Sequence, residues 1–196
     1  MKVLFAHTKD IDVQKILESN YISDEEYDAL TRLKNVEVLK EKALSTYFKR
    51  KYIGEYHLND YGKPISDNCF FNISHTKGLV LFVKDTVPVG IDVEGQRKID
   101  NNLIKYVCSP EEEKYIKSDN DFYRIWTNKE SLVKCLGTGI RTKVNEIPGL
   151  PLNDVRQLEK HIFKSKTIEP LPFIISVTRE SLEDFDIELV EERFSL

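Results

Sequence analysis

With 196 residues, 40% of them hydrophobic and 10% aromatic, the chain has the apolar material for one domain or two small packed halves. Its formal net charge of -4, with acids and bases interspersed, gives no reason to expect nucleic acid as a partner. Cys69, Cys108 and Cys135 are far apart and show no Cys-x-x-Cys spacing, which argues against a structural zinc site and for a reducing compartment; no apolar run reaches signal-peptide or membrane-spanning length, so the expected location is the cytoplasm.

Residues 2–6 read as a strand and 11–19 as a short helix. Ser23 with Glu26 three residues on forms a capping box, and Tyr27, Leu30 and Leu33 follow at helical spacing. A longer helix is predicted over Val36–Tyr52, with Leu39, Ala43, Leu44, Tyr47 and Phe48 as its apolar stripe. The basic cluster Lys49-Arg50-Lys51 at its end reads as a solvated terminus. Tyr61-Gly62-Lys63-Pro64 signals a turn, and 69–73, 79–83 and 87–94 read as strands, with Lys84-Asp85-Thr86 as a hairpin turn between the last two. Lys63 and His75 then flank one sheet. In 87–94 the strand period of two puts Asp92 and Glu94 on one face and Ile91 and Val93 on the other. Two neighbouring carboxylates repel by roughly 2 kcal/mol at an effective dielectric near 20, so that face is either fully wet or covered by a cation.

In the second half, 101–107 is predicted helical, and Ser109-Pro110-Glu111-Glu112 is a strong helix start, with Glu112 in the capping-box position. Asp121 opens the most amphipathic helix, whose stripe of Phe122, Ile125, Trp126, Leu132, Val133 and Leu136 has Lys129 near its middle and Glu130 on its edge. Snorkelling explains such a lysine blandly, and Glu130 with Lys134 is an ordinary i, i+4 surface pair. After Gly137-Thr138-Gly139 comes a polar, proline-containing connection, then strand-like runs around 161–164, 171–178 and 185–190. Each half thus reads as helices followed by strands, which predicts two similar α+β subdomains, residues 1–87 and 88–196.

Asp92, Glu94 and Glu130 together offer three hard oxygen ligands suited to Mg²⁺, while Lys63, His75, Lys129 and Lys134 offer phosphate partners, with Ser74 beside the imidazole. That is an inventory for phosphoryl transfer. It lacks a Gly-x-x-x-x-Gly-Lys-Ser/Thr loop and a Gly-x-Gly-x-x-Gly, so neither a P-loop enzyme nor a dinucleotide fold is indicated.

Four motifs, in order, carry a resemblance: Gly62-Lys63-Pro64, Phe71-Asn72-Ile73-Ser74-His75-Thr76, Gly90-Ile91-Asp92-Val93-Glu94, and the run from Trp126 to Lys134. They resemble the signature of the surfactin-type 4'-phosphopantetheinyl transferases. The resemblance implies a pseudo-twofold monomer of two α+β halves with coenzyme A in the cleft between them. It implies transfer of the phosphopantetheine arm of coenzyme A to a serine of an acyl or peptidyl carrier protein, with release of adenosine 3',5'-bisphosphate. By motif match it assigns Asp92, Glu94 and Glu130 to Mg²⁺, and Lys63, Ser74, His75, Lys129 and Lys134 to coenzyme A phosphates. It makes Asp92 and Lys134 part of the catalytic group and gives Glu112 the proton of the carrier serine. Relatives usually place an arginine in the amino-terminal helix at the 3'-phosphate; this helix offers Lys40 and Lys42, neither with the bidentate fork of a guanidinium, and Lys42 is taken as the stand-in. Two other readings stay open. One is a non-catalytic coenzyme A or carrier-binding module on the same fold; the other is a metal-dependent nuclease, because Glu112-Glu113-Lys114 after Asp92 mimics an acid, acid-x-lysine pattern.

Overall fold

A computed structural model of the chain describes residues 1–139, 143–158 and 160–194. The start of the connection expected after Gly139 lies outside them. The first half opens with β1 (Lys2–His7) and helices α1 (Val13–Leu17), α2 (Asp24–Thr31) and α3 (Val36–Tyr52). The predicted capping box forms: Ser23 Oγ accepts from the Glu26 amide at 3.2 Å, and Glu26 returns a carboxylate oxygen to the Ser23 amide at 3.1 Å. Asn35 caps α3 by accepting from the amides of Glu37 and Val38. A two-stranded ribbon, β2 (His57–Leu58) and β3 (Pro64–Ile65), leads to β4 (Phe70–Thr76) and β5 (Leu79–Asp85), joined through Gly78, which sits at φ +83°.

β5 lies between β1 and β4. Its apolar run is continuous because both faces are covered: Val80 and Phe82 pack under α3, while Leu79, Leu81 and Val83 join Val3, Val89, Ile91, Val93, Ile175 and Val177 between the two sheets. β6 (Val89–Gly95) therefore leaves the first sheet. The hairpin expected at Lys84-Asp85-Thr86 does not form, because Asp85 is gripped by Arg179 of the second sheet at 2.6 and 3.2 Å and Pro88 has no amide to extend the ladder. β6 instead pairs antiparallel with β9 (Phe173–Arg179), which pairs with β8 (His161–Ile168), which pairs with β7 (Val155–Leu158). The strand β7 was not anticipated from its short, mixed sequence. The last strand, β10 (Glu188–Glu191), runs parallel to β1 and completes the first sheet, so a division after residue 87 separates it from the sheet it closes.

Between β6 and β7 lie α4 (Asn101–Val107), α5 (Pro110–Tyr115) and α6 (Asp119–Leu136). α6 begins two residues before the expected Asp121, because Ser118 is its cap and accepts from the Asp121 amide at 3.3 Å. It ends at Gly137, which takes the left-handed conformation at φ +72°. The fold is α+β, with one long helix on each four-stranded sheet. All three cysteines are free, and no helix among the described residues is long and apolar enough to cross a membrane.

Two features of this packing have measurable consequences. A Cβ added to Gly90 would lie 2.0 Å from the Ser131 carbonyl oxygen and 2.3 Å from the Cys135 nitrogen, both backbone atoms of α6. Gly90→Ala is expected to destabilise the protein by about 3 kcal/mol in urea unfolding, the upper range of overpacking; a loss below about 0.5 kcal/mol would show that α6 does not rest on this strand as described. Burial would by itself raise the Asp85 carboxyl, but the Arg179 guanidinium and the Thr86 amide hold it below the usual aspartate range. Its contribution to stability is then present above the unfolded value near 3.8 and lost as pH falls through the lower folded value. Asp85→Asn is expected to melt below the parent protein at pH 7, with the gap closing under acid; a gap independent of pH would assign the loss to packing.

Candidate functional site

β6 presents Asp92 and Glu94 toward α6 while Val89, Ile91 and Val93 fill the core, as alternation requires. Asp92 is 5% exposed. Lys134 Nζ lies 2.6 Å from its Oδ1, and Ser74 Oγ of β4 donates to the same oxygen at 3.0 Å while accepting from Lys134 at 3.0 Å. The cation over the acidic face is thus Lys134, which turns to Asp92 and forms no i, i+4 ion pair with Glu130. The other oxygen, Asp92 Oδ2, is buried without a hydrogen-bond partner among the described residues. Burial pushes the Asp92 carboxyl up despite Lys134 and Ser74.

Glu94 accepts from Trp126 Nε1 at 3.3 Å and lies 3.9 Å from the Arg97 guanidinium. Burial and then the charge of Asp92 raise its pKa. Glu130 is half-buried and makes no hydrogen bond or ion pair among the described residues; burial and the anions of Asp92 and Glu94 raise its pKa against the pull of Lys134. Three acids therefore feel one another's charge, with Lys134 on Asp92 and Arg97 near Glu94. Among the described residues no three acids, histidines or cysteines converge into a finished metal cage. An orphaned carboxylate oxygen and two mutually repelling glutamates nonetheless fit Mg²⁺, which takes one or two carboxylates and completes its shell with water and substrate phosphates.

The expected phosphate partners divide. Lys63 Nζ donates to the Lys134 carbonyl at 2.6 Å and the Cys135 carbonyl at 3.5 Å, so it caps the last turn of α6. Its pKa is lowered, chiefly by burial. Asn59 Nδ2 adds a bond to the Gly137 carbonyl at 3.1 Å. His75, on the face of β4 opposite Ser74, points to α3, with Nδ1 3.6 Å from Glu41. Burial lowers its pKa; Glu41 opposes this, and Lys42 adds to it, so Lys42 and His75 feel each other across one patch. Lys49, seven residues after Lys42, shares that patch and lies 4.7 Å over the Tyr56 ring. Sequence reasoning had placed Lys49 at a solvated end; its half-burial was signalled only by its position one residue after buried Phe48.

Lys129 and Glu112 pair with each other inside the protein. Lys129 is 0% exposed and does not reach a cleft: its Nζ lies 2.6 Å from Glu112 Oε2, 2.6 Å from the Val107 carbonyl and 3.1 Å from the Val144 carbonyl. The ammonium thus donates to two backbone carbonyls and pairs in charge with Glu112, out of reach of solvent. Glu112 is 4% exposed, accepts from the amides of Ser109 at 2.8 Å and Gly149 at 2.7 Å, and forms its ion pair with Lys129. The capping role predicted for it is real, and both partners of the pair are buried.

Comparison with known proteins gives a consistent result. Residues 88–185 match the family model described as the 4'-phosphopantetheinyl transferase superfamily. The chain is 30% identical over 179 residues to the 4'-phosphopantetheinyl transferase gsp of Aneurinibacillus migulanus, covering 83% of this chain and 73% of that protein. It is 31% identical over 140 residues to the 4'-phosphopantetheinyl transferase ffp of Bacillus subtilis, covering 62% of each chain. It is 36% identical over 90 residues to the 4'-phosphopantetheinyl transferase Sfp of Bacillus subtilis strain 168, covering 41% of this chain and 40% of that protein. Among solved structures, the holo-[acyl-carrier-protein] synthase of Thermotoga maritima aligns at a TM-score of 0.35 and 17% identity over 47% of this chain and 61% of that one, a likeness too slight to carry weight.

The crowding of acids predicts how the metal-free protein responds to losing one. Glu130→Gln removes a repelled carboxylate that has no partner among the described residues, so the melting temperature is expected to rise by about 3 °C, the shift that about 1 kcal/mol produces in a chain of this size. A fall instead would reveal a stabilising contact of Glu130.

Proposed function

The chain belongs to the 4'-phosphopantetheinyl transferase superfamily and is a 4'-phosphopantetheinyl transferase, and on that premise we propose that it moves the phosphopantetheine arm of coenzyme A to a serine of an acyl or peptidyl carrier protein. The observation that carries this reading is buried Asp92, with Lys134 and Ser74 on one oxygen and the other unpartnered beside Glu94 and Glu130. In the transfer, the serine Oγ forms its bond to the pantetheine-side phosphorus as the bond from that phosphorus to the bridging oxygen breaks. The electron pair leaves on the 5'-phosphate of adenosine 3',5'-bisphosphate, and the serine proton passes to water.

Catalysis of such a step is mostly positioning and offsetting of charge on phosphate oxygens. Asp92, Glu94 and Glu130 would hold Mg²⁺, which supplies charge neutralisation at the diphosphate when bound. Lys134, partly exposed and already bridging Asp92 and Ser74, turns its ammonium toward the same oxygens. His75 and Lys42, with Lys49 behind them, offer positive charge for the phosphate at the far end of coenzyme A. Lys63 holds the end of α6 so that Lys134 keeps its reach.

Incubation of the protein with coenzyme A, Mg²⁺ and a panel of apo carrier proteins, read by mass spectrometry, is expected to show one phosphopantetheine added to the serine of at least one carrier. Asp92→Ala is expected to reduce transfer by at least about a hundredfold while the circular dichroism spectrum stays folded, in line with loss of a group that orients metal and phosphate. Wild-type protein that binds coenzyme A but modifies no carrier would favour a non-catalytic binding module, and an Asp92→Ala variant of full activity would remove the metal site from the reaction.

A further inference from the structure

Glu112 is enclosed on every side that the chain provides. α5 gives it the Ser109 amide, α6 gives it Lys129, and the segment before β7 gives it the Gly149 amide. Gly149 is packed so tightly that an added Cβ would meet Ile125 Cγ2 at 2.7 Å, Glu112 Oε1 at 2.9 Å and Lys129 Cε at 2.9 Å. Behind Gly149, Asn128 Nδ2 donates to its carbonyl at 2.8 Å. Arg156 of β7, 4% exposed, donates to the Pro148 carbonyl at 2.6 Å and to Asn128 Oδ1 at 2.9 Å, and also bonds Ser165 Oγ. No carboxylate pairs with this guanidinium among the described residues; two of its bonds go to the segment before β7 and to α6, which both hold Glu112, and the others to Ser165 of β8 and Thr178 of β9. Lys129 itself precedes Glu130 by one residue and Lys134 by five on the same helix.

We propose that Glu112 is a positioning residue, held by Gly149, Asn128 and Arg156, which acts through Lys129 to set helix α6 and does not take the proton of the acceptor serine. The proposal rests on the functional reading above, since it concerns how that transfer is arranged. Its physical basis is enclosure: Lys129 is fully buried on two backbone carbonyls and the Glu112 charge, and Glu112 is held by two amides and that ammonium where solvent barely reaches. A base must reach the proton that it abstracts, directly or through one water. A buried ion pair has a different signature under mutation. Removing one partner strands a charge, whereas replacing both with apolar groups of similar volume is often neutral.

That difference supplies the test. Glu112→Gln, Lys129→Met and the double variant Glu112→Leu/Lys129→Met are compared for melting temperature and for kcat and KM in carrier modification. Each single variant is expected to melt about 10 °C below the parent, as loss of one buried partner implies for a chain of this size, and to lose activity with it. The double variant is expected to regain most of that melting temperature and to recover kcat to within about tenfold of the parent, which a protein deprived of its general base could not do. A double variant that is folded as well as the parent but has lost about a hundredfold or more in kcat at unchanged KM overturns the proposal. Should that variant not fold, Glu112→Gln/Lys129→Gln keeps a neutral hydrogen-bonded pair in place and is judged by the same two outcomes. Wild-type protein that transfers nothing to any carrier overturns the functional reading itself, and the wild-type arm of the same assay registers it.

Discussion

The contact on which the rest of the structure depends is the approach of α6 to β6 at Gly90. With no side chain at that residue, the helix backbone settles onto the strand at a distance that any Cβ would forbid. Asp92 leaves the same face two residues on, and therefore comes under the last turns of α6 rather than beside water. Glu130 and Lys134 belong to those turns. The carboxy-terminal end of the helix is then fixed by Lys63 and Asn59, and the amino-terminal end by Arg124, which bridges Asp121 and Glu169. A helix secured at its middle and both ends presents its acidic and basic side chains in one arrangement.

α6 carries two buried or half-buried lysines, and their partners differ in a way that separates structure from chemistry. Residues 129 and 134 are five apart, which places them about 140° around the helix from each other. Lys129 and Glu112 form a closed set: the lysine is fully buried against two backbone carbonyls and the carboxylate, and the carboxylate is held by two amides. Lys134 and Asp92 form an open one, with a buried carboxylate oxygen left over and two more acids whose protonation is favoured by burial and by neighbouring anions. Buried polar groups are ordinarily satisfied, so the incomplete set is the one that calls for a ligand.

The sequence was legible wherever a local rule decided the outcome. Ser23 with Glu26 and Ser109 with Glu112 formed their capping boxes because cap and acid lie three residues apart in the same turn. α3 was bounded correctly from its apolar stripe, and the Asn35 cap fixes its start. Asp92 and Glu94 shared a face because strand alternation leaves no choice. What failed was long-range. Nothing near Lys84-Asp85-Thr86 announces that Arg179, ninety-four residues from Asp85, will take that aspartate and carry the chain into another sheet. Lys129 was recognised as out of place on an apolar stripe, but its partner could be chosen only with the fold in hand. Arg156 gave no signal, being one charged residue in a four-residue strand that its own sequence does not define.

The face of α6 that meets the second sheet carries small hydroxyls between two apolar clusters, Phe122 and Ile125 with Ile174 and Leu132 and Val133 with Phe163. Thr127 and Ser131, four residues apart, face Ser176 and Thr178 of β9, which are two apart on the same strand face as the partners of Asp92 and Gly90. The hydroxyl pairs are 2.8 and 2.7 Å apart, and each continues into β8 through Thr167 and Ser165, the second reaching Arg156. Small side chains permit the close approach that Gly90 demands. Their hydrogen bonds also resist rotation, because an apolar interface tolerates a helix turning by a few degrees whereas a chain of buried hydroxyls loses its partners and bears the desolvation cost of each. The hydroxyl seam thus does from the sheet side what Lys129 and Glu112 do from the loop side. Between them they fix the one rotation of α6 at which Lys134 and Glu130 meet Asp92.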